Sequence, residues 1–330
     1  MTFHTAFAIS DISQVGQARR AALRMAEELG LTEQQRGAVA IVVTELATNL
    51  VRYAKSGQLL VGASGHGVID ILAIDKGPGL DVGRCMQDGF SSGGTAGNGL
   101  GAVRRMSDEF DIYSATESGT AIFARVGAPA AAITSRGPPF LWGAVSIPAP
   151  GEAVCGDAWD LIVTEADLRI MVADGLGHGP EASRASKTAI EVFQKRASSD
   201  PKAFIEQAHT AMTATRGAAI AAGQFSRQAD RFVYAGIGNI SGSLLSHADS
   251  RGLMSHNGTV GGQMRSVQQM EYNWSAGWLL VMHSDGIQTR WDLNKYPGLF
   301  TRHPAIFAAV LARDFNRGRD DATVVAVRRL

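Results

Sequence analysis

The stretch Gly127-Ala-Pro-Ala-Ala-Ala-Ile-Thr-Ser-Arg-Gly-Pro-Pro139 is the strongest constraint on how this 330-residue chain can fold. Small residues and prolines dominate it, so it offers neither a periodic apolar face nor a full set of backbone donors, and it suits a connector. What lies on either side must then build its own core, and the chain is long enough for two. The expected division is residues 1–126, a linker at 127–139, and residues 140–330. With 45% apolar and 19% charged residues and a formal net charge of zero, the chain belongs with ordinary globular proteins. Charge balance lends no support to a nucleic-acid partner, and no Lys/Arg stripe with interleaved aromatics is present. The two cysteines, Cys85 and Cys155, form no Cys-x-x-Cys or Cys/His cluster, which points away from disulfides and zinc. The first residues lack a basic n-region, and no apolar run approaches the roughly 20 residues that span a bilayer. A cytoplasmic protein without a membrane anchor is expected.

In the first part, Val15, Ala18, Ala22, Met25, Ala26 and Leu29 recur at helical spacing, and Gly30 supplies a stop. A second helix is predicted from Thr32, as N-cap, to about Ala54. Strands are predicted at Leu59–Ala63, Val68–Asp75, Phe110–Ser114 and Thr120–Val126, with a short helix at Ala102–Met106. Beyond the connector, Leu161–Val163, Leu168–Ala173, Phe232–Ala235, Trp278–His283 and Thr323–Val327 read as strands. Helices are predicted near Pro180–Lys195 and Pro201–Thr213. The pattern implies an α+β protein of two domains.

Three groups of residues in the first part suggest a nucleotide site. Glu45 and Asn49 lie four apart, so a proton acceptor and a cation ligand share one helix face. Asp75-Lys-Gly-Pro-Gly79 puts a carboxylate at a strand end, where it can accept from an adenine amino group while the glycines let backbone approach the base. Gly97-Asn-Gly-Leu-Gly101 can turn backbone N–H groups and a helix N-terminus toward phosphates. Singly these are a solvated helix face, a turn and a loop; their order and spacing argue for ATP.

The second part sets aspartates beside glycines at strand ends: Gly156-Asp157, Asp174-Gly-Leu-Gly-His-Gly179, His283-Ser-Asp-Gly286 and Arg319-Asp-Asp-Ala-Thr323. Any one is an ordinary turn. Burying several carboxylates together costs several kcal/mol each unless cations lie between them, and hard divalent ions are the natural partners.

The first set of motifs resembles the GHKL-type ATPases. Thr44–Asn49, Asp75–Gly79, Met86-Gln-Asp-Gly-Phe-Ser91, Arg104-Arg-Met-Ser-Asp-Glu-Phe110 and Ser118-Gly-Thr120 look like the RsbT-type switch kinases of the stressosome, over roughly residues 10–126. The resemblance implies a GHKL (Bergerat) α/β sandwich in which Asn49 ligates the Mg²⁺ on the ATP phosphates. Asp75, with Gly77, Gly79 and Thr120, would hold the adenine; Gly97, Gly99 and Gly101 would shape the lid; Glu45 would be the base acting on a serine hydroxyl. Lys76 departs from the uncharged polar residue expected beside the adenine pocket. The second set, with Arg216-Gly-Ala-Ala-Ile220 and Phe232-Val-Tyr-Ala-Gly-Ile-Gly-Asn239, resembles the RsbX/SpoIIE branch of the PPM/PP2C phosphatases over roughly residues 140–330. That implies an α-β-β-α sandwich holding two Mn²⁺ or Mg²⁺ ions. Asp174 would bridge them, the carbonyl of Gly175 and Asp157 would complete one site, and Asp285 and Asp320 the other, with Asp321 as the alternative to Asp320. His178 is read either as a proton-transfer group or as part of the loop structure, and His283 as structural. The family's phosphate-binding arginine is not evident near Asp157.

Together the resemblances imply a cytoplasmic kinase–phosphatase that acts on serine or threonine of a STAS-domain protein. The alternative is a phosphatase whose N-terminal domain only senses nucleotide or binds a partner such as a sigma factor.

Overall fold

The computed structural model describes residues 3–64, 67–85, 99–116, 118–127, 140–164, 167–195 and 200–330. The chain begins with strand β1 (His4–Ile9), helices α1 (Ile12–Glu28) and α2 (Glu33–Asn49), and strands β2 (Gly57–Ala63) and β3 (Ile69–Ile74). Short helices α3 (Val82–Cys85) and α4 (Gly99–Arg105) precede the strands β4 (Glu109–Ala115) and β5 (Gly119–Val126). Then come β6 (Phe140–Ile147), β7 (Asp157–Val163), β8 (Asp167–Gly175), α5 (Pro180–Lys195), α6 (Pro201–Ala211), β9 (Ala218–Ser226) and β10 (Arg231–Ile237). The chain closes with β11 (Ser241–Leu245), β12 (Ser250–Leu253), β13 (Gln269–Tyr272), β14 (Leu279–His283), α7 (Pro304–Phe315) and β15 (Ala322–Arg329). No helix among the described residues is long and apolar enough to cross a membrane.

Packing divides the chain into two units, and both are α+β. One comprises His4–Gly137 with Asp292–Arg313, the other Met1–Phe3, Pro138–Trp291 and Asp314–Leu330. A contiguous division at the connector would leave Asp292–Arg313 in the second unit. The structure groups it with the first, and the boundary falls inside α7.

In the first unit an antiparallel sheet of order β1-β2-β3-β5-β4 packs one face against α1 and α2. Both helices start at capping boxes. Asp11 accepts from Ser13 N while Gln14 reaches back to the Asp11 amide, and Thr32 and Gln35 do the same for α2. Val39, Val42, Val43 and Leu46 of α2 are fully buried against Ile71 of β3 and Ile122 and Ala124 of β5. After Asn49 the helix widens into a π turn, Leu50–Ala54, that ends at Lys55 in the left-handed region (φ 63°). Such widenings often accompany functional sites. The buried Asp70 in β3 is neutralised by a bidentate pair with Arg125 of β5, at 2.7 and 2.8 Å.

The segment Asp292–Arg313 is fixed to this sheet at its middle and at its C-terminal end. The His303 imidazole stacks on Phe123 of β5, centroids 4.6 Å apart and planes 16° from parallel. Its Nδ1 accepts from Ala305 N at the start of α7, so Nε2 carries the proton and donates to Glu109 at 2.9 Å. The His303 amide donates to Asp111 at 2.6 Å, and at the far end Arg313 donates to the carbonyl of Asp75 at 2.9 Å. Burial alone would raise the Glu109 pKa; the hydrogen bond from His303 and the charge and hydrogen bond of Arg125 outweigh it and hold the carboxyl at about 2, against an ordinary 4.5. A depressed carboxyl stabilises the fold fully above its unfolded pKa and loses that contribution as pH falls through its folded value. In denaturant unfolding, Glu109→Gln should therefore lie below the wild type near neutral pH, with the gap closing as pH drops from about 4.5 toward 2. A gap constant across that range would mean that the charge of Glu109 contributes nothing.

The second unit stacks two sheets, β13-β10-β9-β8-β7 and β12-β11-β14-β15-β6. Strand alternation sorts the side chains of β8: Leu168, Ile170 and Val172 face the inter-sheet core with Leu280, Met282, Val325 and Val327. Met171 and Ala173 face Phe193 of α5 and Phe204 of α6 on the outer side. The strand ends at one edge of this sandwich bring the aspartates together. Asp157 and Asp174 are cross-strand partners, Asp285 follows β14, and Asp320 and Asp321 precede β15.

Candidate active sites

In the first unit the residues expected to form a nucleotide site come together through close backbone approach. A Cβ on Gly99, the first residue of α4, would sit 2.9 Å from Glu45 Oε2. A Cβ on Gly77 would lie 3.1 Å from Ala54 Cα, at the end of the π turn that follows Asn49. Asp75 Oδ1 accepts from Gly77 N at 2.7 Å and Thr120 N at 3.3 Å, while the Asp75 amide donates to the Thr120 carbonyl at 2.9 Å. Its Oδ2 has no hydrogen-bond partner among the described residues. Burial raises the Asp75 carboxyl despite the Gly77 and Thr120 amides and the Arg313 charge. Glu45 and Asn49 are half-buried, Gly101 lies in the first turn of α4, and Lys76 is exposed. Gly97 and the stretch 86–91 lie outside the described residues.

Ser114, which the sequence did not single out, accepts from Leu80 N at 2.8 Å and lies 3.0 Å from the Thr120 hydroxyl, tying the Asp75–Gly79 turn to the β4–β5 hairpin. Gly119 is the tightest point. It has φ 76°, and a Cβ there would stand 2.0 Å from the Asp75 carbonyl oxygen. Gly119→Ala is expected to cost more than about 1 kcal/mol in stability and to weaken nucleotide binding. Thermal melting with and without ATP reads both effects.

In the second unit the glycines serve the same end. A Cβ on Gly175 would meet the Ala182 carbonyl at 2.2 Å, one on Gly286 the Asp321 carbonyl at 1.9 Å, and one on Gly156 the Asp321 carboxylate at 2.5 Å. Ser284 donates to Asp157 Oδ2 at 2.6 Å and accepts from Thr323 N at 3.0 Å, and Asn239 donates to Asp285 at 2.7 Å. None of these three partners was assigned a role from sequence; each is legible only once the strands are paired. Asp321 accepts from Ala149 N at 2.8 Å and is buried, whereas Asp320 is half-exposed. Burial pushes Asp174 well above the usual carboxylate range, and Asp157, Asp285, Asp320 and Asp321 push it further. Asp157 rises for the same reason, opposed by its bonds to Ser284 and Thr323. His178 Nδ1 lies 2.6 Å from Glu152 in the glycine loop, and His283 is buried against the Ser284 carbonyl.

Two buried oxygens, Asp157 Oδ1 and Asp321 Oδ2, have no hydrogen-bond partner among the described residues. Orphaned, mutually repelling hard-oxygen donors suit a divalent cation. No three such side chains among the described residues are gathered tightly enough to enclose an ion alone. Mg²⁺ characteristically keeps several waters and takes only one or two carboxylates, so the donor set fits.

A one-sheet module with a Glu/Asn helix and a glycine-walled aspartate turn, joined to a two-sheet sandwich with aspartates at one edge, defines an ATPase-type module fused to a PP2C-type phosphatase. The chain belongs to the stage II sporulation protein E (SpoIIE) family, whose model matches residues 164–330, and residues 9–126 match the histidine kinase-like ATPase domain. It is 38% identical over 109 residues to the serine/threonine-protein kinase RsbT of Bacillus subtilis (strain 168), which covers 32% of this chain and 82% of that protein. Among solved structures it is similar to one described under "The bacterial stressosome: a modular system that has been adapted to control secondary messenger signaling", with TM-score 0.54, 26% identity, and coverage of 57% of this chain and 99% of that one. RsbX in complex with magnesium matches at TM-score 0.49 and 22% identity, covering 57% and 94%. The chain thus carries an RsbT-like ATPase domain and a SpoIIE-type domain with a PP2C-like fold.

Proposed function

We propose that this chain runs a reversible phosphorylation switch, with the N-terminal domain phosphorylating and the C-terminal domain dephosphorylating serine or threonine on a STAS-domain stress-signalling protein. The observation that carries the reading is Glu45: its half-buried carboxylate lies against the first residue of α4, where the lid meets the helix, one turn from Asn49. Glu45 takes the proton of the substrate hydroxyl as its oxygen bonds the γ-phosphorus and the bond to ADP breaks. Asn49 holds the Mg²⁺ of Mg-ATP, Asp75 with Thr120 reads the adenine, and Gly77, Gly79, Gly97, Gly99 and Gly101 shape the pocket and its lid. In the C-terminal domain Asp157, Asp174, the Gly175 carbonyl, Asp285 and Asp320 hold two Mn²⁺ or Mg²⁺ ions, with Asp321 bracing the loop from Ala149. Bound there, such ions lower the pKa of a coordinated water and clamp a phosphoryl group. RsbT and the stressosome neighbour support a STAS-domain partner, and fusion raises the effective concentration of both activities around it.

The test is transfer of labelled phosphate from Mg-ATP to a STAS-domain protein of the same organism, comparing wild type with Asp174→Asn in Mn²⁺. Label that accumulates mainly in the variant supports both activities on one site. ATP binding without labelling in either enzyme would leave the N-terminal domain as a nucleotide sensor or a sigma-factor-binding partner.

A further inference from the structure

The loops that present Asp285 and Asp320 also carry an unassigned concentration of positive charge. A cavity of about 470 Å³ is lined by Gln288, Thr289, Arg290, Arg317 and Arg319. It lies between the loop after β14 and the loop before β15. The two are pinned together by Gln288 N to the Phe315 carbonyl (2.9 Å), Arg317 N to the Gly286 carbonyl (2.8 Å), and a bridge between Ile287 and Asn316. Gly318, at φ 69°, donates to Asn316 Oδ1 at 2.7 Å and holds the second loop in its turn. Arg319 is the residue before Asp320, and Arg290 is five residues past Asp285.

Solvated arginines on a surface usually find a carboxylate nearby. Here no acidic residue among the described ones lines the cavity, and none of the three guanidinium groups makes a side-chain hydrogen bond or ion pair with another described residue. The chain as a whole is neutral, so three unpaired guanidiniums around one concavity are a local excess that an anion would relieve. A lone phosphate is small for this volume, and the scissile phosphate is already provided for beside the aspartates. An extended peptide advances roughly 3.4 Å per residue, so a phosphoserine held at the aspartates would carry its neighbouring residues onto the same loops that bear the arginines. Carboxylates match the guanidinium fork bidentately.

We infer that this cavity is a substrate-docking site that selects phosphoproteins whose phosphorylated serine or threonine is flanked by aspartate or glutamate. The inference rests on the phosphatase reading above. It also supplies positive charge close to the metal-binding loops, where the sequence shows no arginine beside Asp157.

The test compares kcat/KM for two phosphoserine peptides that differ only in flanking Glu versus Gln, with p-nitrophenyl phosphate and Mn²⁺ establishing that the enzyme is active. The wild type should prefer the acidic peptide about five- to tenfold at low salt, and the ratio should fall toward one at high salt. In Arg290→Glu/Arg317→Glu the preference should invert, the Gln-flanked peptide becoming the better substrate. A wild-type ratio near one at low salt overturns the inference, as does an acidic preference that survives the double charge reversal. The low-salt wild-type ratio decides the matter even if the double variant does not fold. Failure to hydrolyse p-nitrophenyl phosphate as well as both peptides would instead overturn the phosphatase reading, and the docking site with it.

Discussion

Asp174→Asn is expected to lower Mn²⁺-dependent hydrolysis of p-nitrophenyl phosphate by on the order of 10²–10³-fold while leaving the fold intact. A bound metal ion supplies several kcal/mol of transition-state charge stabilisation, and each ~1.4 kcal/mol on a barrier is tenfold in rate, so weakening its ligand set has an effect of this order. Asp174 is the residue on which this effect should be largest. It faces Asp157 across β7–β8, and of the cluster it is the carboxyl that all four other aspartates act upon. The folded state should not suffer, because the substitution relieves repulsion. Unfolding without metal should show the variant equal to or more stable than the wild type, and added Mn²⁺ should raise the wild-type melting temperature more than that of the variant. Loss of activity together with loss of metal-free stability would mean that Asp174 is a structural residue, and retained activity would remove it from the metal site.

The second large effect belongs to Glu45→Ala. A positioned general base contributes about 10²–10⁴-fold, so phosphotransfer to the proposed STAS-domain substrate should fall by that factor. Nucleotide affinity should change little, since the turn proposed to read the adenine is built from Asp75, Thr120 and Ser114, on other elements. A fluorescent ATP analogue and single-turnover transfer separate the two quantities. Equal losses of binding and transfer would place Glu45 among the nucleotide ligands, and unaltered transfer would exclude it as the base.

Much of this site was legible because its determinants are local. Thr32 with Gln35 sets where α2 begins, and the four-residue spacing of Glu45 and Asn49 then puts them on one face. The Asp-Gly pairs were legible for a similar reason: close approach at Gly156, Gly175 and Gly286 permits no side chain. Other elements lacked a local signal. Strand β9, Ala-Ala-Ile-Ala-Ala-Gly-Gln-Phe-Ser, is rich in a residue depleted from strands, and its place between β8 and β10 comes from burial on both faces. Helix α7 is buried from Pro304 through Ala312, so it has no polar face and no amphipathic period. The partners of the aspartates, Asn239, Ser284 and Thr323, are defined by strand pairing rather than spacing. The arginine cavity likewise joins positions 290 and 317, which only the loop bridge makes neighbours.

The division inside α7 bears on how such a protein can be synthesised and recombined. A nascent chain would have its N-terminal sheet and two capped helices available long before residues 292–313 appear, so the first module would wait for most of the polypeptide before Glu109 and Asp111 met their partners. A gene fragment ending at the connector would encode the catalytic motifs of that module but neither His303 nor Arg313. Exchange of domains between genes then carries a consequence: a module cut at the connector leaves Glu109, Asp111 and the Asp75 carbonyl without the partners they have in His303 and Arg313 of this chain.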